Sequence, residues 1–411
     1  MKSAKFELNS EFNTLLFLFK VSRNITVGID VGTHTVKVVV AELIRGKDKP
    51  FPKVIGTGYA ESKGLRHGYI MSPADAARSI KQAARQAEKV SGVQIKKAFL
   101  SIGGLGLAGS VSQSSVIVSR GDSEITDLDV KKVLEASENE LPSSYAMNRK
   151  IIHAIPISYK IDGRIVLGRP QGMKGMKLES RTLFISCLEQ HLNDLIQTLG
   201  DAGIEVEDVM AAPLASSLVS LSKTQKIAGC VLANIGAETV SIVVFENNIP
   251  ISLEVFPIGS IDVTHDIALG LKVSLEEAEA LKTGANTDTT VSKKKLEEII
   301  DARLTDIFEL IEGHLKKIGR SGLLPAGIIL TGGGSGIADV EEIAKLALKL
   351  PAKTSHFPFE GDTRGLRQET WSVAYGLCIL GFTQGDEPSL GIKIASRTTN
   401  KILAWIKQFL P

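Results

Sequence analysis

The chain has 411 residues, 43% of them hydrophobic and 23% charged, and a formal net charge of +2. This length supplies roughly two or three domains' worth of chain and a large core. The composition excludes a disordered or fibrous protein, and the near-neutral balance excludes a global field for nucleic acid.

Residues 1–24 read as an extension ahead of the first periodic strand. Their apolar run Leu15–Phe19 is too short to span a bilayer. Glu7 and Glu11 precede it and no small-residue cleavage site follows, so it does not read as a signal peptide.

The strand Ile25–Val27 then enters Gly28-Ile29-Asp30-Val31-Gly32-Thr33, and Val36–Val40 returns as a second strand. Strand, glycine turn, strand is the layout of a phosphate-binding hairpin. Gly28 and Gly32 leave no Cβ between backbone N–H groups and a phosphate oxygen. Thr33 and Thr35 add hydroxyl donors. Asp30 is placed to hold a Mg²⁺ water; capping the turn is its other role. A strand near 53–62 follows, then a helix from Pro73 with Ala76, Ile80, Ala83, Ala84, Ala87 and Val90 at helical spacing. Lys97–Ile102 is the next strand, giving an α/β layout in which 25–105 is the first part of one lobe.

Residues 106–181 read as an insert, with strand runs at 109–119 and 151–167 around a helix from about Asp127 to Asn139. The apolar run 182–187 resumes the core, and helices over Gln190–Ala202 and Ala211–Leu221 complete the first lobe at 182–220. Cys187, Cys230 and Cys378 lie in apolar runs without paired spacing, as buried thiols of a reducing compartment do.

Cys230–Phe245 restarts the theme: strand, glycine turn, Thr, strand. Asn234, Gly236 and Thr239 answer Asp30, Gly32 and Thr35, which reads as an internal duplication. Residues 221–257 open the second lobe. Helices at Ile261–Leu271, Ser274–Thr283 and Leu296–Gly319 form an outer subdomain over 258–321. Residues 322–384 complete that lobe and return to the first. Within them Ile328–Thr331 leads into Gly332, Gly333 and Gly334 before a helix over Asp339–Leu350, whose N-terminus favours anions. A tight strand-to-helix turn is the other reading of that triplet. Trp371–Phe382 is a buried helix. Two glycine turns of different design point to a nucleotide in a cleft between two lobes.

Residues 385–400 form a polar linker. In 401–411, Ile402, Leu403, Trp405, Ile406, Phe409 and Leu410 share an arc of ~160° on a helix, and Lys401, Ala404, Lys407 and Gln408 take the rest. Such a helix is too short to cross a membrane and suits the plane of a bilayer interface. Docking on the protein's own core is the other reading, and the polar linker favours the membrane. One such helix binds weakly, so stable attachment requires several tails acting together.

Taken together, these motifs resemble the superfamily of actin, Hsp70 and the sugar kinases, and within it the FtsA family of bacterial cell-division proteins, over roughly residues 25–411. Phe256–Gly259 with Val263–Ala268, and Trp371–Leu377, are similar to the family's two connecting segments. Gly64–Ile70 and His153–Asp162 look like FtsA rather than actin or Hsp70. The resemblance implies an α/β, actin-like fold: two ribonuclease-H-like lobes around a nucleotide cleft, with an FtsA-type insert used in polymer contacts. It implies ATP and Mg²⁺ as cofactors. Gly332–Gly334 would lie on the α-phosphate or adenosine, Glu279 on ribose hydroxyls and Lys282 beside adenine. It further implies Arg303 as a contact for the C-terminal tail of the tubulin homologue FtsZ. Lys293–Lys295 nearby reads equally as a solvated charge run. The other implied partners are further copies of the chain in a filament, inner-membrane lipid and other division-ring proteins, with no nucleic acid. The implied location is peripheral, on the cytoplasmic face of the cell membrane.

The chain departs from the family at the second hairpin. Asn234 and Ser241 stand where an acidic residue is common, and Ala237 and Glu238 where glycine is. An amide lacks the charge a carboxylate offers Mg²⁺, and Glu238 repels a triphosphate unless it points away. The expectation is nucleotide binding with at most weak ATPase activity and no nameable catalytic residue. One alternative is a PilM-like pilus-assembly adaptor holding a membrane partner's peptide, against which the insert and tail argue. Another is a sugar kinase, for which the chain offers no evident general base.

Overall fold

Two five-stranded sheets with the same strand order organise the molecule. The computed structural model describes residues 23–44, 50–119, 121–285, 291–359 and 367–384. The expected linker and amphipathic tail, and nearly all of the extension 1–24, lie outside these described residues.

The first sheet runs Phe51–Glu61, Thr35–Ile44, Ile25–Val31, Lys97–Ile102, Glu205–Ala211. Its first three strands are antiparallel and its last two join in parallel. The second sheet runs Ile249–Phe256, Val240–Glu246, Cys230–Ile235, Ile328–Thr331, Ala352–Thr354, with the same directions. The duplication expected from the glycine turns is therefore topological. The central strands are near-continuous apolar runs because helices and neighbouring layers cover both faces; Ile29, Val38, Leu100, Val231, Val243 and Leu330 are fully buried.

The helix Ser372–Gln384 returns from the second lobe to the first and packs on Ile25–Val31 and on the helix Ala212–Ser220. A chain of buried hydroxyls fastens these connections. Ser216 Oγ donates to Ser372 Oγ at 2.9 Å. Ser372 Oγ lies 3.0 Å from Thr331 Oγ1, which donates to the Glu369 carbonyl at 2.9 Å. The three cysteines are buried free thiols, as expected.

The insert is a separate antiparallel sheet in the order Leu107–Ile117, Lys177–Leu188, Arg149–Ile161, Arg164–Val166. The helix Asp127–Asn139 covers one face around Val130, Val133, Leu134 and Leu178. Two expectations change here. The run 151–167 is broken by a turn at Asp162-Gly163, both at positive φ (49° and 81°), as a two-residue hairpin requires. Lys177–Leu188 runs unbroken past 181, paired with Leu107–Ile117 from Lys177 to Cys187. Its second half resembles a core strand because Leu183, Ile185 and Cys187 pack into the first lobe's core.

The strand Glu205–Ala211 is absent from the sequence reading. It is an edge strand carrying Glu205, Glu207 and Asp208, and such strands lack the apolar run of central ones.

Candidate functional site

The two glycine turns are built alike. In the first, Gly32 faces the Thr35 carbonyl so closely that a Cβ would sit 2.9 Å from it; in the second, Gly236 faces Thr239 O at 2.8 Å. Asp30 pairs in register with Lys37, and Asn234 with Ser241. Each hairpin is underpinned by a hydroxyl residue of the neighbouring parallel strand. Ser101 Oγ donates to Asp30 Oδ1 at 2.9 Å, and Thr331 stands beside Asn234.

Asp30 is the carboxylate of the first hairpin, with Lys37 Nζ 3.7 Å from its Oδ2. A lone carboxylate suits a Mg²⁺ that keeps most of its ligands as water and phosphate oxygens. Among the described residues no group of three or more His, Cys, Asp or Glu gathers to hold a metal by protein ligands alone. Lys37 is the residue the sequence reading missed. It sits inside an apolar strand pattern, yet its side chain is only 13% exposed and its ammonium lies beside Asp30 and Gly32. Thr33 lies half-buried at the turn and Thr35 is buried at its end.

Gly28 belongs to packing. A Cβ there would lie 2.1 Å from the Ala374 carbonyl of the returning helix. The close approach expected toward phosphate is taken up by that helix.

In the glycine triplet, Gly332 has φ 85°, and a Cβ would meet Asn234 Oδ1 and Ile235 O at 2.3 and 2.6 Å. Gly334 packs on Ile235, whereas a Cβ at Gly333 would meet open space. The expected direct entry into a helix is replaced by a short 3-10 turn, Gly333–Gly336. The α-helix begins only at Val340, after Asp339 in a left-handed conformation. The open surface is therefore the glycine backbone rather than an α-helix N-terminus.

In the second lobe as well, the helix Leu275–Lys282 carries Glu279 and Lys282. The buried Lys282 ammonium spends its three hydrogens on Ser260 O (3.1 Å), Thr264 Oγ1 (2.8 Å) and Glu279 Oε2 (2.6 Å). Lys282 thus positions Glu279, and has no hydrogen left for a base. Burial works to raise the Glu279 carboxyl, but the hydrogen bonds from Lys282 and Thr264 outweigh it and hold it below the ordinary carboxylate range. His34, at the tip of the first hairpin, pulls the same way from the opposite lobe. Glu279 remains half-exposed.

Arg303 lies apart, on the helix Lys293–Lys317. It forks onto Asp266 at 2.6 and 3.1 Å, with Asp306 at 3.3 Å. The hydrogen bonds to Asp266 hold its guanidinium firmly charged.

A family model described as cell division protein FtsA matches residues 231–376, and one described as the SHS2 domain inserted in FtsA matches 108–186. The FtsA of Bacillus subtilis is 31% identical over 79% of this chain and 76% of its own length. That of Borreliella burgdorferi is 30% identical over 94% and 98%. The chain belongs to the FtsA family. It is accordingly a cell-division protein with an actin-like fold and the FtsA-type insert. The insert model also runs past 181, in keeping with the unbroken strand.

Among solved structures, the PilM–PilN type IV pilus biogenesis complex superposes with a TM-score of 0.63 at 17% identity, covering 87% of this chain and 98% of that one. EutJ from Carboxydothermus hydrogenoformans gives 0.50 at 13%, covering 92% and 99%. At these identities the likeness is one of fold. The Gly64–Ile70 segment, read as FtsA-like without a structural role, forms a small hairpin, Leu65–Arg66 with Tyr69–Ile70, facing the second glycine turn.

Proposed function

We propose that this FtsA-family chain binds ATP with Mg²⁺ between its lobes, polymerises on the inner face of the cytoplasmic membrane, and ties the FtsZ ring polymer to that membrane through residues 401–411. The observation that carries the nucleotide part is the duplicated hairpin. Two Gly-x-x-Thr turns stand on sheets of identical order, and the Cβ position of Gly333, beside the second turn's strand, is open. Asp30 and Lys37 supply a metal and phosphate side. Glu279, set by Lys282 and Thr264, supplies acceptors suited to ribose hydroxyls. Ligand binding across two lobes biases their closure, and closure sets whether subunits can stack. Asn234 and Ser241 offer a metal no charge, which favours binding over turnover.

The membrane part rests on the amphipathic pattern of the tail. Among the described residues no helix is long and apolar enough to cross a membrane. Arg303, with a fixed guanidinium on the outer subdomain, is the proposed contact for the FtsZ C-terminal tail, and the insert the proposed contact for neighbouring subunits and other division-ring proteins.

The test is vesicle co-sedimentation of the full chain and of a version ending at Asn400, each with and without ATP·Mg²⁺. Pelleting that needs residues 401–411 and responds to nucleotide is the expected result. Equal pelleting of the two versions overturns the membrane assignment. The double substitution Trp405→Glu and Phe409→Glu should reproduce the truncation.

A further inference from the structure

We propose that Glu238 is a latch between the lobes, which an incoming nucleotide anion must displace. Glu238 stands at the tip of the second glycine turn, in the second lobe. Its Oε2 accepts a hydrogen bond from the backbone N–H of His67, in the first lobe, 171 residues away in sequence. The same oxygen lies 3.8 Å from His67 Nδ1, a buried ring nitrogen without a hydrogen-bond partner. The Glu238 side chain is only 20% exposed.

Both ends of this bond are rigid. His67 is the left-handed residue (φ 49°) of the Leu65–Ile70 hairpin. Its carbonyl accepts from Leu105 N at 3.2 Å. Gly68 lies so close to Gly104 that a Cβ there would be 2.5 Å from the Gly104 Cα. The N–H of His67 is thus a fixed donor of the first lobe. On the other side, Gly236 N donates to Thr239 O at 2.9 Å, and Ile261 N to Ala237 O at 2.8 Å, anchoring the turn that carries Glu238 to the second lobe. A bond between two stiff bodies resists their separation, unlike one between flexible side chains.

The chemistry makes the latch exclusive. The turn that carries Glu238 is one of the two proposed phosphate hairpins, and a carboxylate at its tip repels a polyphosphate. The carboxylate bridges the lobes. With a nucleotide anion between the hairpins, its charge must move away, and the ligand takes over the bridging. This inference rests on the nucleotide reading of the cleft, and the closing experiment separates the two.

The experiment uses the full chain with spin labels at Arg85→Cys and Glu309→Cys, both exposed and on long helices of opposite lobes; the native cysteines are buried. The ligand-free parent should give one narrow inter-lobe distance. Glu238→Ala, lacking the acceptor, should broaden or lengthen it, and Glu238→Gln, which keeps an acceptor oxygen, should broaden it less. In a parallel titration with ATP·Mg²⁺, both variants should bind about tenfold more tightly than the parent, the order expected for removing one like charge within ~10 Å of the ligand. An unchanged ligand-free distance in Glu238→Ala overturns the latch. A broadened distance with unchanged ATP affinity overturns the displacement. A broadened distance with no ATP binding by any version upholds the bridge and overturns the nucleotide reading instead.

Discussion

Gly28 and Gly333 should respond to the same substitution in opposite ways. A Cβ at Gly28 would stand 2.1 Å from the Ala374 carbonyl and 2.9 Å from Leu377 Cβ, against a floor of 3.0 Å for real Cβ contacts. The carbonyl is backbone and cannot rotate aside. Its helix is itself held against the Ala215 carbonyl, 1.9 Å from where a Cβ on Gly376 would be. Relief needs a helix shift of nearly an ångström, at the upper end of overpacking costs, about 3 kcal/mol. At roughly 1 °C per kcal/mol for a chain of this length, the melting temperature should fall by about 3–4 °C. Gly333→Ala meets nothing within 4 Å and does not sit at positive φ, so its stability should stay within about 0.5 kcal/mol while its ATP affinity falls. Unfolding is best followed by the buried Trp371. The chain has two tryptophans, so a Trp405→Phe background makes Trp371 the sole reporter. A Gly28→Ala chain of unchanged stability that no longer binds nucleotide would refute the packing argument and return Gly28 to the phosphate site.

Three further outcomes follow from charge. Lys37→Met should weaken ATP binding about tenfold or more, by loss of a half-buried cation beside Asp30; an isothermal titration that shows no change removes Lys37 from the site. Burial pushes the His153 ring down to about 3, from 6.5, while its Nε2 accepts from Ala211 N at 3.1 Å. Below pH 6.5 the unfolded chain takes up a proton that the native ring refuses, so stability falls with pH, by about 2 kcal/mol at pH 5. Urea unfolding at pH 7 and pH 5 should show a loss smaller by that amount in His153→Gln, and an equal loss excludes the residue as its source. Arg303→Glu should abolish capture of an FtsZ tail peptide in a fluorescence-anisotropy titration without loss of ATP affinity, and undiminished capture moves the peptide site elsewhere.

Local chemistry was legible in the sequence, and distant partners were not. The two glycine turns share a Gly-x-x-Thr spacing that any reader of the chain can compare, and the sheets behind them prove alike in order and direction. The helices over 260–317 follow from their period, with ends displaced by a few residues. The packing role of Gly28 is hidden in the sequence because an absent Cβ looks the same whether a ligand or the returning helix needs the space. Lys37 was missed because the strand around it is apolar, and only the fold puts its ammonium beside Asp30. Lys282 was expected at the base, but its three acceptors come from segments 3, 18 and 22 residues away. Glu238 stands out in the sequence as an acidic residue in an expected phosphate hairpin. That its carboxylate turns toward His67 could not be read from either segment alone.

The two hairpins share a backbone but not a charge. The first pairs a carboxylate with an ammonium across its strands, Asp30 with Lys37; the second pairs an amide with a hydroxyl, Asn234 with Ser241. Duplicated backbones supply the same N–H geometry twice, so both can cradle phosphate, while only the first can share in holding a cation. The negative charge of the second hairpin sits instead at its tip, on Glu238, and is spent on a bond to the other lobe. A symmetric scaffold thus carries an asymmetric task. On the proposed nucleotide reading, metal and phosphate would be held from the first hairpin, while at the second the Glu238 carboxylate bonds the lobes to each other. A ligand shifts such an equilibrium only by its difference in affinity between the two arrangements. If the proposed latch holds, the charge of the nucleotide, rather than cleavage of its γ-phosphate, is the term that moves the lobes.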